Sequence, residues 1–268
     1  MKHQIQLIAM DVDGTLLDDD KFIAPGAAEA IQAVKARGVM VALVTGRNKP
    51  TLRWILDELD LWGPFIGSGG AYVADLSTGK IIEQHTLPME DVHQLIVMAR
   101  KHHLFMFVDH AEWMLCELEP VQYREIKRLH KYAWQVVPDL LAAIPEPPLK
   151  ALVLGDHEKL EEIKKYFETN HRPVHLAFTA NTSMDMVSQD VNKGHALTVL
   201  AGYLNIPLNK IAVIGDYDND LEMFHIAGVS VAMGNAPEIV KRTATFIAPN
   251  NNEGGLAWAL NKIILEDE

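Results

Sequence analysis

Four short apolar runs punctuate the chain: IQLIAM ahead of Asp11, VMVALV ahead of Thr45, KIAVIG ahead of Asp216 and VSVAM ahead of Gly234. Each stops at a polar residue or glycine, and helix-period sequence follows, which is the cadence of β-α units. The pattern predicts crossover helices over about residues 25–37, with Pro25 at the start and Gly38 just past the end, and over about 193–205. Strands that are apolar throughout predict a parallel sheet covered on both faces.

Between about residues 84 and 190 the pattern changes. A helical stretch (PMEDVHQLIVMARKHH) precedes two alternating runs, LFMFVD and EWMLCE, that read as a hairpin turning at His110 and Ala111. A second helix is predicted over Val121 to Tyr132, then a proline-rich stretch, a strand (LKALVLG), a helix (HEKLEEIKKYFETN) and the strand-like runs VHLAFTA and SMDMVS. Neighbouring paired strands predict a mixed or antiparallel sheet. The fold class is therefore α/β, a doubly wound, mostly parallel Rossmann-type core over residues 1–83 and 191–268, with an inserted α+β domain over 84–190.

The chain has 268 residues, enough for two cores, and 36 acidic against 24 basic residues give a net charge of −12. That balance argues against nucleic acid or an acidic membrane as partner, because both draw on clustered basic charge. One cysteine, Cys116, permits no intrachain disulfide and suits a reducing compartment. The opening apolar stretch is too short for a secretory signal, and no run approaches the ~20 residues that span a bilayer. The expectation is a cytoplasmic protein, a monomer or small homo-oligomer, whose partner is a small molecule.

Candidate chemistry gathers at the strand ends. Asp11 and Asp13, two residues apart after the first strand, share a side if the extended geometry continues. Two ionised carboxylates about 4 Å apart repel by about 4 kcal/mol at an effective dielectric near 20, so the pair calls for a cation or a held proton. GDYDND brings Asp216, Asp218 and Asp220 to another strand end, and in a parallel sheet the carboxyl ends share one edge. Hard oxygen ligands beside a phosphate site favour Mg²⁺. Thr45, Gly46 and Arg47 add a hydroxyl, a close backbone and a guanidinium, and Lys193 adds an ammonium at a helix start, where N–H groups favour anions. Carboxylate, hydroxyl, ammonium and metal together describe phosphoryl transfer.

DVDGTLL at Asp11 to Leu17, TGR at Thr45 to Arg47, NKG at Asn192 to Gly194 and GDYDND at Gly215 to Asp220 resemble, in order and spacing, the four motifs of haloacid-dehalogenase-superfamily phosphatases. The insertion resembles the large α/β cap of the Cof-type branch. The resemblance implies that Asp11 is the nucleophile that becomes an aspartyl phosphate and that Asp13 is the general acid, then base. It implies that Thr45 and Lys193 hold the phosphoryl oxygens, Lys193 also restraining Asp11, with Asn219 nearby. Asp11, the backbone carbonyl of Asp13 and Asp216 would hold Mg²⁺, with Asp220 as ligand or one layer behind. The carboxylate at Asp13 matches the phosphatases; the related ion-pumping ATPases carry threonine there. Where Cof-type chains often have Asn-Gly-Ala after the third core strand, this chain reads Gly69, Gly70, Ala71.

Other readings fail on single residues. GDYDND lacks the glycine and glutamate of a calcium loop, with Leu221 and Ala227 in their places, and Tyr72 stands where a dinucleotide fingerprint needs its last glycine. The expected activity is Mg²⁺-dependent hydrolysis of a small phosphomonoester, a sugar phosphate above all. A sugar phosphotransferase or phosphomutase, or a non-catalytic metabolite-binding regulator, are the alternatives. Leaving-group selection is expected from the insertion, whose hairpin turn offers Asp109, His110 and Glu112.

Overall fold

A computed structural model describes residues 5–118 and 134–265. Its strands are β1 (Leu7–Met10), β2 (Met40–Val44), β3 (Pro64–Gly67), β4 (Tyr72–Asp75), β5 (Lys80–Gln84), β6 (Phe105–Asp109), β7 (Met114–Cys116), β8 (Gln135–Val136), β9 (Lys150–Leu154), β10 (Val174–Ala180), β11 (Ser183–Ser188), β12 (Ile211–Gly215), β13 (Val229–Ala232) and β14 (Phe246–Ile247). The chain divides into two compact units. The first holds residues 1–46, 53–83 and 192–268, and the second 47–52 and 84–191. Among the described residues no helix is long and apolar enough to cross a membrane.

The first unit carries an eight-stranded sheet in the order β14-β13-β12-β1-β2-β3-β4-β5. From β14 to β3 every pair is parallel; β3 and β4 are antiparallel. The strands LIAM and IAVIG are buried at every position, as expected when helices cover both faces. Helices Ala27–Ala36 and Lys193–Leu204 fall where the apolar period placed them. The latter packs Ala196, Leu197, Leu200 and Ala201 into one cluster with Leu7, Ala9 and Val213. This burial fixes the height of its first residue, Lys193, against the strand ends. Strands β4 and β5 have no counterpart among the predicted strands. Polar ADLSTGK hides them, yet it is a turn signal: Asp75 accepts from the Ser77 N–H at 3.0 Å and Gly79 has φ 72°.

In the second unit the order is β10-β11-β9-β6-β7-β8, antiparallel except for the β7–β8 pair. Alternate residues of its strands, among them Met106, Val108, Ala151, Val153, Met184 and Met186, pack against Val92, Leu95, Ile96, Leu160, Ile163 and Phe167 of helices Met89–Lys101 and His157–Thr169. The period of two turns Phe105, Phe107 and Asp109 to the other face. The helix expected over Val121 to Tyr132 lies outside the described residues.

Asp109 sits opposite Lys150 in register, and Lys150 Nζ binds Asp185 at 2.9 Å. Asp109 is buried and its Oδ1 has no hydrogen-bond partner among the described residues. Burial therefore raises its pKa to about 7; the Lys150 ammonium opposes this and the Asp185 carboxylate adds to it. Between the unfolded carboxyl value near 4 and about 7, the folded chain holds a proton that the unfolded chain has released. This contribution to stability is full below about pH 4 and is lost as the pH rises through 7. Asp109→Asn should remove that slope. Thermal unfolding followed from about pH 4 to 8 is expected to show the wild type losing stability relative to the variant, by a few kcal/mol at most.

Candidate active site

Because β1, β2, β12 and β13 run parallel, the residues that follow them emerge on one edge of the sheet. Asp11 follows β1, Thr45 follows β2, Asp216 follows β12, and Asn235 lies in the loop after β13. The chain winds outward from β1 in both directions, so β1 and β12 flank the switch point at which such sheets open a crevice.

Two loops interlock there. The β1 loop continues the sheet pairing, with Asp11 N–H donating to Ile214 O at 2.9 Å, then turns through Gly14 at φ 82°. A Cβ at Gly14 would stand 2.3 Å from Asp216 Oδ2, so the approach of the two loops requires glycine on both counts. Thr15 Oγ1 donates to Asp216 Oδ1 at 3.2 Å, and Asn235 Nδ2 donates to Asp216 Oδ2 at 3.1 Å. Asp220, fully buried, ties off its own loop: Oδ2 accepts from the N–H groups of Asp216 and Tyr217 at 2.9 and 3.1 Å.

Lys193 opens its helix, whose N-cap Asn192 accepts from His195 N–H at 2.7 Å. Its buried ammonium lies 2.6 Å from Asp11 Oδ1 and 2.6 Å from Asp220 Oδ1. Carboxylate oxygens of Asp11, Asp216 and Asp220 all lie within 4.8 Å of one another. Burial raises the Asp11 carboxyl well above the usual range; Lys193 opposes this, while Asp220 and Asp216 add to it. Asp216 is raised to about 7 by burial and then by the Asp220 carboxylate. Burial alone would lower the Lys193 ammonium, but its two carboxylate partners outweigh it and raise the group, so Lys193 stays charged. Asp13 is half exposed and pairs with Lys21 at 3.2 Å.

Of the residues singled out from sequence, Asp11, Asp13, Asp216, Asp220 and Lys193 meet in this arrangement. Thr45 is buried beside it in the first unit; its carbonyl accepts from Gly69 N–H at 2.9 Å. Gly46 also belongs to the first unit, whereas Arg47 starts the short segment that packs with the second. Asn219 and Asp218 are exposed on the turn before Asp220. Within the second unit, the hairpin turn is committed to internal contacts. His110 is buried, its carbonyl accepts from Asn48 Nδ2 at 3.2 Å, and Glu112 pairs with Lys49. Sequence reasoning passed over Thr15, Lys21 and Asn235. Thr15 lies inside the DVDGT motif and Asn235 three residues past the last residue of β13, so position at the carboxyl edge was the available signal for both.

The chain matches the haloacid dehalogenase-like hydrolase family over residues 8–260 and belongs to it. Several of its relatives are named phosphatases. It is 29% identical over 270 residues to 5-amino-6-(5-phospho-D-ribitylamino)uracil phosphatase YitU of Bacillus subtilis, with 98% of each chain covered. It is 27% identical over 267 residues to pyridoxal phosphate phosphatase YbhA of Escherichia coli, covering 94% of this chain and 96% of the relative. A crystal structure of a haloacid dehalogenase-like hydrolase from Bacteroides thetaiotaomicron superposes with a TM-score of 0.90 at 28% identity, covering 97% of this chain and 99% of that one. The chain is thus a haloacid dehalogenase-like hydrolase, and the fold and family read from its motifs stand.

The interlock of Gly14 with Asp216 gives a direct test. Gly14→Ala should lower kcat by about a hundredfold or more, since displacement of catalytic groups by about 1 Å is enough for that. Far-ultraviolet circular dichroism should be unchanged, because Gly14 lies in a turn outside the strands and helices.

Proposed function

We propose that the chain hydrolyses a small phosphomonoester with a polyol or sugar-like leaving group, through an aspartyl phosphate on Asp11 and with Mg²⁺. The observation that carries this reading is the Lys193 ammonium held between Asp11 and Asp220, with Asp216 beside them. Asp11, Asp216 and Asp220 bring three carboxylates within 4.8 Å of one another beside the Lys193 ammonium, a cluster of hard oxygen ligands that fits a divalent cation.

Asp11 and Asp216 would hold the cation, together with the Asp13 carbonyl. Asp220 stands one layer behind, because Lys193 and two backbone N–H groups already occupy its oxygens. When bound, Mg²⁺ supplies positive charge to the phosphoryl oxygens and keeps Asp11 ionised despite its burial. An Asp11 oxygen attacks phosphorus and the ester oxygen departs, taking a proton from Asp13. Asp13, now a carboxylate, removes a proton from water, whose oxygen attacks phosphorus and releases phosphate and free Asp11. Lys21 is placed to steady the Asp13 carboxylate. Thr45, the Gly46 backbone, Lys193 and Asn219 are the groups assigned to the phosphoryl oxygens. Arg47 is given no step, since it packs with the second unit.

The leaving-group class rests on the relatives. One acts on a phosphorylated ribityl chain and another on pyridoxal phosphate, both small phosphate monoesters by name. A release assay over sugar, polyol and cofactor phosphates, read as kcat/KM, tests this, and best turnover of a nucleic acid or phosphoprotein would overturn it. Asp11→Asn should fall below about a tenth of wild-type kcat while keeping its fold, since the amide is neither nucleophile nor anionic ligand. A chelator should abolish activity, Mg²⁺ should restore it, and Ca²⁺, with longer bonds and a larger coordination number, should bind without supporting turnover. Persistent activity in metal-free buffer would remove the cation from the scheme.

A further inference from the structure

Asn235 lies outside the four motifs, in the loop after β13, and its amide joins three segments. Nδ2 donates to the Gly14 carbonyl at 2.9 Å and to Asp216 Oδ2 at 3.1 Å. Oδ1 accepts from the Asn251 N–H at 3.2 Å. Asn251 is itself buried and donates through Nδ2 to the Leu17 carbonyl at 3.1 Å and to Asp19 Oδ1 at 3.2 Å. The loop is anchored on the sheet side as well, since Met233 N–H donates to the Gly215 carbonyl and Gly234 N–H to the Pro249 carbonyl, both at 3.0 Å.

The chemistry of this junction follows from donor and acceptor identity. A primary amide has two N–H donors on one nitrogen and an acceptor oxygen. Here the nitrogen spans a carbonyl of the β1 loop and a carboxylate of the β12 loop, while the oxygen is held in place by backbone. Asp216 has no rotational freedom left: Thr15 holds Oδ1 and Asn235 holds Oδ2. A carboxylate oxygen accepts more than one partner, so each keeps a lone-pair direction for a cation.

We infer that Asn235 is a positioning residue that fixes the Asp216 carboxylate and the Gly14 backbone relative to one another, and thereby sets the affinity of the site for Mg²⁺. The inference rests on the reading of Asp216 as a cation ligand given above. Partners that orient a metal ligand change metal affinity by about 10–100-fold when removed, and this junction orients both a ligand and the loop that carries the nucleophile.

The experiment is Mg²⁺ titration of the full chain by calorimetry, without substrate, for wild type, Asn235→Ala, Asn235→Ser, Asp216→Asn and Asn252→Ala. Asn252 is the comparator: it adjoins Asn251 in the Asn251–Glu253 turn and its Nδ2 donates to Asp19 Oδ2 at 2.8 Å, not to Gly14 or Asp216. Asn235→Ala and Asn235→Ser are expected to raise the Mg²⁺ Kd at least tenfold, and half-maximal activation by Mg²⁺ should shift by a similar factor. Asn252→Ala should bind as wild type does. Serine is too short to reach both acceptors but keeps a polar group on the exposed loop, so it serves if the alanine variant folds poorly. If wild type binds Mg²⁺, Asp216→Asn abolishes binding and both Asn235 variants bind like wild type, the inference fails while the metal reading survives. Equal weakening in Asn235→Ala and Asn252→Ala would make Asn235 a loop staple only and overturns the inference too. Binding unaffected by Asp216→Asn, or no binding by wild type, overturns both.

Discussion

The buried Lys193 ammonium, 2.6 Å from two carboxylates, is the constraint around which the first unit is arranged. Taking an ammonium and a carboxylate out of water costs several kcal/mol per ion, recovered only when geometry is close and the remaining lone pairs are satisfied. Several unrelated parts of the chain meet that condition together. β1 must deliver Asp11, the β12 loop must curl so that Asp220 points inward, and the helix Lys193–Leu204 must pack at one height against the sheet. Each requirement is met by apolar burial elsewhere: Leu7 and Ala9 in β1, Val213 in β12, Leu197 and Leu200 in the helix. A hydrophobic core sets the geometry of a polar cluster that hydrophobicity alone would exclude.

The cluster is under-compensated as it stands. Burial drives Asp11 and Asp216 toward protonation, and the Lys193 ammonium is in contact with Asp11 and Asp220 but not with the half-buried Asp216. Such a site is poised for positive charge, and the surrounding donors are arranged for it. Thr15 and Asn235 grip Asp216 from opposite oxygens, and backbone N–H groups hold Asp220 in place of a second ammonium.

The fold was legible because its central strands are short, wholly apolar and closed by Asp, Thr or Gly, so Asp11, Thr45 and Asp216 could be put on one edge before any coordinates. Lys193 was legible as a helix start and, through the family resemblance, as a restraint on Asp11, but its second contact, with Asp220, depends on a packing distance that no periodicity encodes. β4 and β5 escaped because they are short, YVAD and KIIEQ, and the turn between them, Asp75 to Gly79, resembles an ordinary loop. Arg47 adjoins Thr45 and Gly46 in sequence, and the chain changes unit between Gly46 and Arg47, so adjacency alone does not say which groups its side chain meets. At the turn expected to meet the leaving group, Asp109 and His110 are buried while Glu112 is exposed and pairs with Lys49, a difference that composition does not show.

That every site loop springs from the last residue of a strand also divides the first unit by tolerance to changes of length. Along a strand the side chains alternate, so one residue added to or deleted from β1, β2 or β12 would turn Asp11, Thr45 or Asp216 to the opposite side. The connections at the other ends of these strands, Gly38–Val39 before β2 and Pro207–Lys210 before β12, carry none of the groups described above. Those are the places where peptides, tags or spectroscopic reporters belong, because a loop lengthened there costs only the slowly growing entropy of closure.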